Sequence, residues 1–371
     1  QVKRLVTDYD NYISLKLAGD DAYLSEKMVG YPAELDEVYA ESFEEQKKEW
    51  FSCVGDGIQE CRNTWEHKKW NITDFPEFEL AITIDRPELY YDFLQKDWTR
   101  FCHDYWKNNF LEHHTLSQKR VTRIYIGNQF CHNLFPRKEL LFQVLEKALE
   151  NNLAVTLAFS YIRNHLLEEI DELLQELEVW CQSREKEAGK DQEEIIVNDW
   201  AMPILLQGKP HLKPVLGVLL NKRRKDVRLP YKQGIGNHVD SLAENNLNCG
   251  FYQDYLKNTF DIQRFEFESC GYKVTIPDGH HSLHLPFFQT NTSQYCTLYA
   301  VCRYGDRGKQ KLTENCPRYC NKKVFLYPKH LKMVGRYNSL FGYDEKILWD
   351  EKQLQDYLEQ GIERIVVNVS L

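Results

Sequence analysis

The stretch Val121-Thr-Arg-Ile-Tyr-Ile126 decides the fold, because it opens a strand–helix–strand unit. This stretch has the composition of a short β-strand and ends at Gly127. Residues 137–151 follow with apolar side chains at helical spacing, which predicts a helix. The run Ala154-Val-Thr-Leu-Ala-Phe159 is again of strand type. Two strands joined by a helix predict a parallel pair with a crossover connection.

The same alternation extends along most of the chain. Leu80-Ala-Ile-Thr-Ile84 precedes the unit, and Pro87 can open a helix at its first turn. Residues 166–180 form a strongly amphipathic helix pattern that leads into a charged tip. Further strands are predicted at 195–198, 214–220, 263–267, 272–276 and 364–369.

About eight strands that alternate with helices predict an α/β fold of the TIM-barrel type, with functional groups at the carboxyl ends of the strands. Residues 268–271 are too few for a crossover helix between two of these strands, so we expect an irregular or incomplete barrel. Residues 1–78 are predicted to form a mainly helical N-terminal accessory segment. The barrel-like domain then spans 79–371 and carries an insert at 222–248.

The composition is that of a soluble globular protein, with 42% hydrophobic and 28% charged residues among 371. No apolar run approaches the roughly 20 residues that cross a bilayer, and no signal peptide is visible. The net charge of -9 disfavours nucleic-acid binding over the whole surface, but it leaves room for a local basic groove. An odd number of cysteines, eleven, favours a reducing cytoplasm over a disulfide framework.

Four of the cysteines fall in one basic, turn-rich stretch: Cys296, Cys302, Cys316 and Cys320. Clustered cysteines of this kind are typical soft ligands of a metal or an iron–sulfur cluster. Zinc ribbons use paired knuckles with two residues between the cysteines, whereas the tight pair here has three between and lacks a second knuckle. The spacing therefore favours an iron–sulfur cluster and leaves zinc as the alternative.

Two motifs resemble the collagenase-like peptidase family U-32, and most closely its iron–sulfur members of oxygen-independent ubiquinone and RNA hydroxylation. One is the strand and glycine that lead from Val121 to Cys131, and the other is Leu298-Tyr-Ala-Val-Cys302 with the later cysteine pair. The likeness covers roughly residues 80–371. One family feature, a glutamate with spaced glycines, is replaced here by Gln289-Thr-Asn-Thr-Ser-Gln294.

The resemblance implies a 4Fe-4S cluster at the barrel mouth, with an extra upstream cysteine, Cys296, as a spare. It also implies an oxygen donor such as prephenate and an aromatic or nucleobase acceptor. The ligands would be Cys131, Cys302, Cys316 and Cys320.

Catalytic and anion-binding candidates come from the loops that follow the predicted strands. Asp199 follows the fourth strand, where a helix cap is the competing interpretation, and His281 and His284 are predicted in a loop before the cysteine cluster. Arginine forks suit carboxylates and phosphates. Four arginines are predicted to bind an anion. Arg223, Arg224 and Arg228 lie in the basic run after the fifth strand, and Arg336 lies near the end of the chain.

These features predict an iron–sulfur oxidoreductase that hydroxylates or otherwise modifies an aromatic or nucleobase substrate. Two alternatives are a non-catalytic subunit of a heterodimer and a zinc-stabilised RNA-binding module that uses the basic insert. A homodimer or heterodimer is expected as the working form. The sequence lacks a serine–histidine–aspartate order, an HExxH helix and a Walker loop, so literal peptidase activity is not expected.

Overall fold

The computed structural model describes residues 47–48, 50–51, 75–188, 193–227, 242–313, 315–327 and 331–369. Most of the predicted N-terminal segment, the charged tip at 189–192 and Arg228 lie outside these ranges.

Eight parallel strands form one sheet in the order β5-β4-β3-β2-β1-β12-β7-β6. The strands of this sheet are β1 (Glu79–Ile84), β2 (Arg123–Gly127), β3 (Ala154–Ala158), β4 (Glu193–Val197), β5 (Leu212–Leu216), β6 (Glu266–Glu268), β7 (His281–Leu285) and β12 (Ile362–Val367). A further parallel bridge joins Leu216 to Phe265, so the two edges of the sheet meet. The sheet is thus nearly closed, which confirms the predicted α/β fold of the TIM-barrel type.

Helices follow most barrel strands, as the sequence pattern predicts. They are α1 (Pro87–Gln95), α2 (Trp98–Asn108), α3 (Lys138–Glu150), α4 (Leu167–Ala188), α5 (Ala201–Leu205), α6 (Gly250–Phe260), α7 (Thr297–Tyr304) and α8 (Glu351–Glu359). Pro87 begins α1, where its missing N–H costs nothing, and the Asp97 side chain accepts from the Arg100 backbone N–H at the start of α2. Within the described ranges, the helices are all too short or too polar to cross a membrane.

The prediction of a strand at 272–276 is wrong, and so is the prediction of a loop around His281 and His284. His281 and His284 lie instead in the strand β7, which pairs in parallel with both β12 and β6. Residues 272–276 have the β-branched composition of a strand, but they run as an irregular connection in which Val274 and Ile276 are buried. The connection from β6 to β7 is therefore longer than the sequence pattern indicated, which removes the spacing problem for a barrel.

A second, antiparallel sheet covers the carboxyl end of the barrel. Its strands are β8 (Phe287–Thr292), β9 (Phe325–Leu326), β10 (Met333–Arg336) and β11 (Ser339–Tyr343), in the order β8-β11-β10-β9. The strand β8 begins directly after the carboxyl end of β7, and Phe341 of β11 lies against the ends of the barrel strands. Residues 333–336, where the sequence predicts no strand, form β10.

Paired charges fill the amino-terminal half of the barrel interior. Arg364 of β12 donates to both carboxylate oxygens of Glu194 on β4, at 2.6 and 3.0 Å, and to Glu79 on β1 at 2.6 Å. Arg123 of β2 donates to the other oxygen of Glu79 at 2.9 Å. The strands β12 and β4 are not neighbours in the sheet, so the Arg364–Glu194 pair crosses the inside of the barrel. Burial acts to raise the pKa of Glu194, but Arg364 and Arg123 outweigh it and lower that pKa to about 2.

We expect the substitution Glu194→Gln to destabilise the fold by about 3–5 kcal/mol, because it leaves buried guanidinium groups without a counter-charge. The free energy of unfolding in urea measures this loss. The matched control is Glu176→Gln, since Glu176 makes an exposed ion pair with Lys138 and should contribute about 0.5 kcal/mol or less. Equal stabilities of the two variants would contradict the role given to the crossing pair.

The pH dependence of stability tests the same pair. A carboxylate with a lowered pKa stabilises the fold above its ordinary pKa of 4.5, and this contribution is lost as the pH falls towards about 2. The Glu194→Gln variant should therefore lose less stability over that acid range than the unsubstituted protein.

Candidate functional site

Four cysteine side chains line a single cavity beside the barrel mouth: Cys131, Cys296, Cys316 and Cys320. Cys131 lies in the loop after β2, and Cys296 is the N-cap residue of α7. Cys320 lies in the short 3-10 helix Tyr319–Asn321, and Cys316 precedes it. The cavity thus joins two stretches of the chain that are far apart in sequence.

Specific contacts hold the loop that carries Cys131. Gly127 at the end of β2 has a φ of +109°, and a Cβ there would lie 2.5 Å from the carbonyl oxygen of Ala158. Only glycine fits this sharp change of direction. The Asn128 side-chain oxygen then accepts from the backbone N–H groups of Phe130 and Cys131, both at 2.9 Å.

The other cysteines are fixed by the hairpin that joins β10 and β11. The Cys296 thiol donates to the Tyr337 carbonyl oxygen at 3.1 Å and accepts from the Tyr299 N–H at 3.3 Å. Arg336 donates from Nε and Nη2 to the Cys320 carbonyl oxygen, at 3.1 and 2.8 Å. Arg336, predicted to bind an anion, is therefore buried and holds the cysteine loop.

Burial favours the protonated thiol at Cys131, Cys296 and Cys320. It raises the pKa of Cys131, and the neighbouring Cys296 and Cys320 add to this effect. Burial also raises the pKa of Cys296 to about 12 and that of Cys320 to about 11, where Arg336 acts in the opposite direction. A metal or cluster that binds thiolates here must displace protons, so its affinity must rise with pH.

Cys302, predicted as a ligand, is not among the residues that line this cavity, whereas Cys296, predicted as the spare, is. Helical geometry explains this difference. Cys302 is six residues after Cys296, and its side chain is therefore rotated by about 240° around the axis of α7. Cys302 is half-buried, and burial raises its pKa while Lys323 lowers it. In the described part of the chain, no three His, Cys, Asp or Glu side chains converge closely enough to hold a single metal ion.

A second cavity, of about 40 Å³, lies in the barrel mouth itself. Asp85 after β1, Glu268 of β6 and His284 of β7 line it, together with Tyr337 and Phe341 from the covering sheet. His281 lies at the amino end of β7 instead, where it stacks on Phe265 with 4.8 Å between ring centres. Burial lowers the pKa of His281 to about 4, so this candidate stays neutral and away from the mouth.

His284 forms a buried pair with Glu266, which the sequence interpretation did not identify. Its Nε2 contacts Oε2 of Glu266 on β6, and Tyr125 of β2 donates to the other oxygen of Glu266 at 3.0 Å. The signal was present in Arg264-Phe-Glu-Phe-Glu268, where charged and aromatic residues alternate. In a barrel strand with a period of two, such alternation places every charge inside.

A third cavity is a groove of about 570 Å³ between the carboxyl ends of β4 and β5 and the strand β8. Arg223 lines it and donates from Nη2 to the Cys270 sulfur, while Nε and Nη1 are buried without a hydrogen-bond partner among the described residues. Asn221 Oδ1 is likewise buried without a hydrogen-bond partner among the described residues. Lys225, which also lines the groove, is bound to Glu268 and Gln289.

The other polar candidates around the groove differ in their roles. Arg224 is not among the residues that line the groove, and its carbonyl oxygen accepts from the Tyr272 hydroxyl. Asp199 does line it, but Oδ1 accepts from the N–H groups of Ala201 and Met202, both at 3.0 Å, and Oδ2 accepts from Ile162 N–H. The first two bonds satisfy N–H groups at the start of α5, which agrees with the helix-cap interpretation of the sequence, and the third ties Asp199 to the loop after β3.

The substitution Asp199→Ala should destabilise the fold by about 1–2 kcal/mol, because it removes the acceptor at the start of α5. Asp199→Asn keeps an acceptor and should cost less than half as much. Urea unfolding of the two variants measures the difference. An Asp199→Ala variant as stable as the unsubstituted protein would contradict the capping role.

No protein-family model, no curated protein and no solved structure matches this chain. The cysteine cavity, the barrel mouth and the groove are therefore interpreted from their own geometry. The resemblance to the U-32 enzymes stays a prediction from the sequence.

Proposed function

We propose that this chain is an iron–sulfur enzyme that carries out an oxygen-independent hydroxylation or a related modification. The cysteine cavity would hold a 4Fe-4S cluster, and the barrel mouth and the groove would hold the reactants. The observation that supports this proposal most directly is that Cys131, Cys296, Cys316 and Cys320 line one buried cavity at the carboxyl end of a barrel. That end of such barrels is where reactions take place.

The donor set fits a cluster better than a single zinc ion. Four cysteine thiolates are the usual ligands of a 4Fe-4S cluster, whereas a tetrahedral zinc site needs its sulfurs about 3.8 Å apart. The described thiols surround a cavity without converging on one point. A cluster bound there would supply electron transfer or a Lewis-acidic iron next to the barrel mouth.

Tyr337 separates the cysteine cavity from the barrel mouth, since it lines both. It lies in the two-residue turn between β10 and β11 with a φ of +58°, a conformation that costs a non-glycine residue about 1–3 kcal/mol. Glycine would avoid this strain, but it would also open the wall. The strained tyrosine therefore supports a functional link between the two cavities.

Arg223 supports an anionic substrate in the groove. A buried guanidinium with unpaired nitrogens is costly, and a carboxylate or phosphate would complete its hydrogen bonds. The residue lies at the floor of the groove near Lys225, on the side of the barrel that carries the mouth. This arrangement agrees with a carboxylate-bearing oxygen donor of the kind that the family resemblance implies.

Single cysteine variants test the cluster. Anaerobic reconstitution with iron and sulfide should load about four iron atoms on the unsubstituted chain. The variant Cys296→Ala should lose most of this iron, because it removes a thiol that lines the cavity. The matched control is Cys302→Ala, six residues along the same helix, which should keep it. Iron and sulfide analysis with visible absorption provides the measurement.

The reverse outcome, with iron lost from Cys302→Ala and kept by Cys296→Ala, would restore the ligand set that the sequence predicts. Zinc in place of iron, without sulfide, would contradict the cluster altogether.

Calorimetric titration with prephenate tests the groove. The variant Arg223→Gln should bind it about 10–100-fold more weakly, because hydrogen bonds to a charged partner contribute about 1.5–3 kcal/mol. Lys222→Gln serves as the control, since Lys222 is exposed at the rim and should change the affinity by about threefold or less. Unchanged affinity in Arg223→Gln would remove this residue from the substrate site.

A further inference from the structure

The cavity in the barrel mouth has the size and the polarity of a water site. Its volume of about 40 Å³ admits water molecules or the end of a substrate. Two polar atoms of its lining residues, Asp85 Oδ1 and the Tyr337 hydroxyl, are buried without a hydrogen-bond partner among the described residues. Buried polar groups are rarely left unpaired, so the cavity needs a polar occupant.

His284 contributes a nitrogen that can exchange a proton with such an occupant. Glu266 engages its Nε2, which leaves Nδ1 as the ring nitrogen for a ligand in the cavity. Burial acts to raise the pKa of Glu266, but the charge of His284 and its hydrogen bond lower it. When the ring is neutral, a carboxylate oxygen that accepts from Nε2 selects the tautomer in which Nδ1 is unprotonated and can act as a base.

Except for Asp85 Oδ1, the other charged groups around His284 have partners among the described residues. Glu268 on β6 is bound to Lys225, which comes from the segment after β5. Arg364 of β12 donates to the Tyr125 hydroxyl at 3.1 Å, and the ring of Tyr125 meets that of His284 edge to face. Asp85, from the loop after β1, contributes the remaining carboxylate of the lining. Proton exchange at His284 therefore breaks none of the ion pairs with lysine or arginine.

We propose that His284, oriented by Glu266, is the general base of a second reactive site, which activates a water molecule in the barrel mouth. The water donates one hydrogen to Nδ1 of His284 and the other to Asp85 Oδ1, and it accepts from the Tyr337 hydroxyl. When it reacts, its O–H bond breaks and an N–H bond forms on the imidazole. The hydroxide forms a C–O bond to a carbonyl carbon of the substrate while the C=O π electrons move to the carbonyl oxygen, and the bond to the leaving group then breaks as the imidazolium returns its proton to that group. The imidazolium is balanced by Glu266, and no electron is transferred.

This activity is independent of the proposed function, since it needs neither a cluster nor thiolates. It predicts that the chain can support hydrolysis of a substrate whose carbonyl carbon reaches the mouth from the groove. Val218 lines both spaces, so the groove lies next to the mouth.

Deuterium exchange at the histidine Cε1–H group tests the site with D2O as the probe, because the exchange needs water contact and follows the titration of each ring. Mass spectrometry of the folded protein should show His284 exchanging at least about tenfold faster than His114. His114 is an internal control, since Nε2 contacts the Leu348 carbonyl oxygen at 3.0 Å and Nδ1 accepts from Leu116 N–H at 3.1 Å. Exchange at His284 as slow as at His114 would overturn the proposal.

The variant Glu266→Gln tests the orienting carboxylate. Loss of the negative charge makes the imidazolium less stable, so the exchange midpoint of His284 should move to lower pH by about one unit or more, with its limiting rate kept. Glu176→Gln, at an exposed position, should leave it unchanged. An unmoved midpoint in Glu266→Gln would refute the pairing, and if this variant does not fold, the comparison with His114 still decides.

Discussion

The ion pair between Arg364 and Glu194 is the interaction on which the rest of the structure depends. It joins two barrel strands that are not neighbours, and Glu79 and Arg123 extend it around the amino-terminal half of the interior. Charges at this depth are tolerated only when each has its partner, so one arrangement of the strands satisfies them and shifted registers do not. The carboxyl ends of the strands are thereby fixed in relation to each other.

A rigid barrel end allows the covering sheet to bring distant residues together. The hairpin between β10 and β11 contributes Arg336 to the cysteine loop and Tyr337 to both cavities. The sequence singled out Arg336 as an anion ligand, whereas its guanidinium donates to a backbone carbonyl oxygen, and it gave no signal for Tyr337, which has a positive φ. Their contribution depends on the covering sheet, whose strands are separated by the whole cysteine stretch.

The sequence predicted the barrel well because alternation of strands and helices is a local signal that the structure confirms. It failed at β7, whose His-Ser-Leu-His-Leu pattern carries polar residues into the barrel and so lacks the composition of a strand. The barrel prediction also suggested that Cys131 would meet the later cysteines, and the structure places it beside Cys316 and Cys320. The choice between Cys296 and Cys302 depended on where α7 begins, which spacing alone does not determine.

The polar interior explains how one barrel end can hold two kinds of chemistry. Burial raises the pKa of Cys296 because it favours the neutral thiol, whereas Glu266 has a lowered pKa because His284 stabilises its charge. The two environments differ in the partner that the protein supplies. Tyr337 lines both cavities, so this one side chain forms part of the boundary between them.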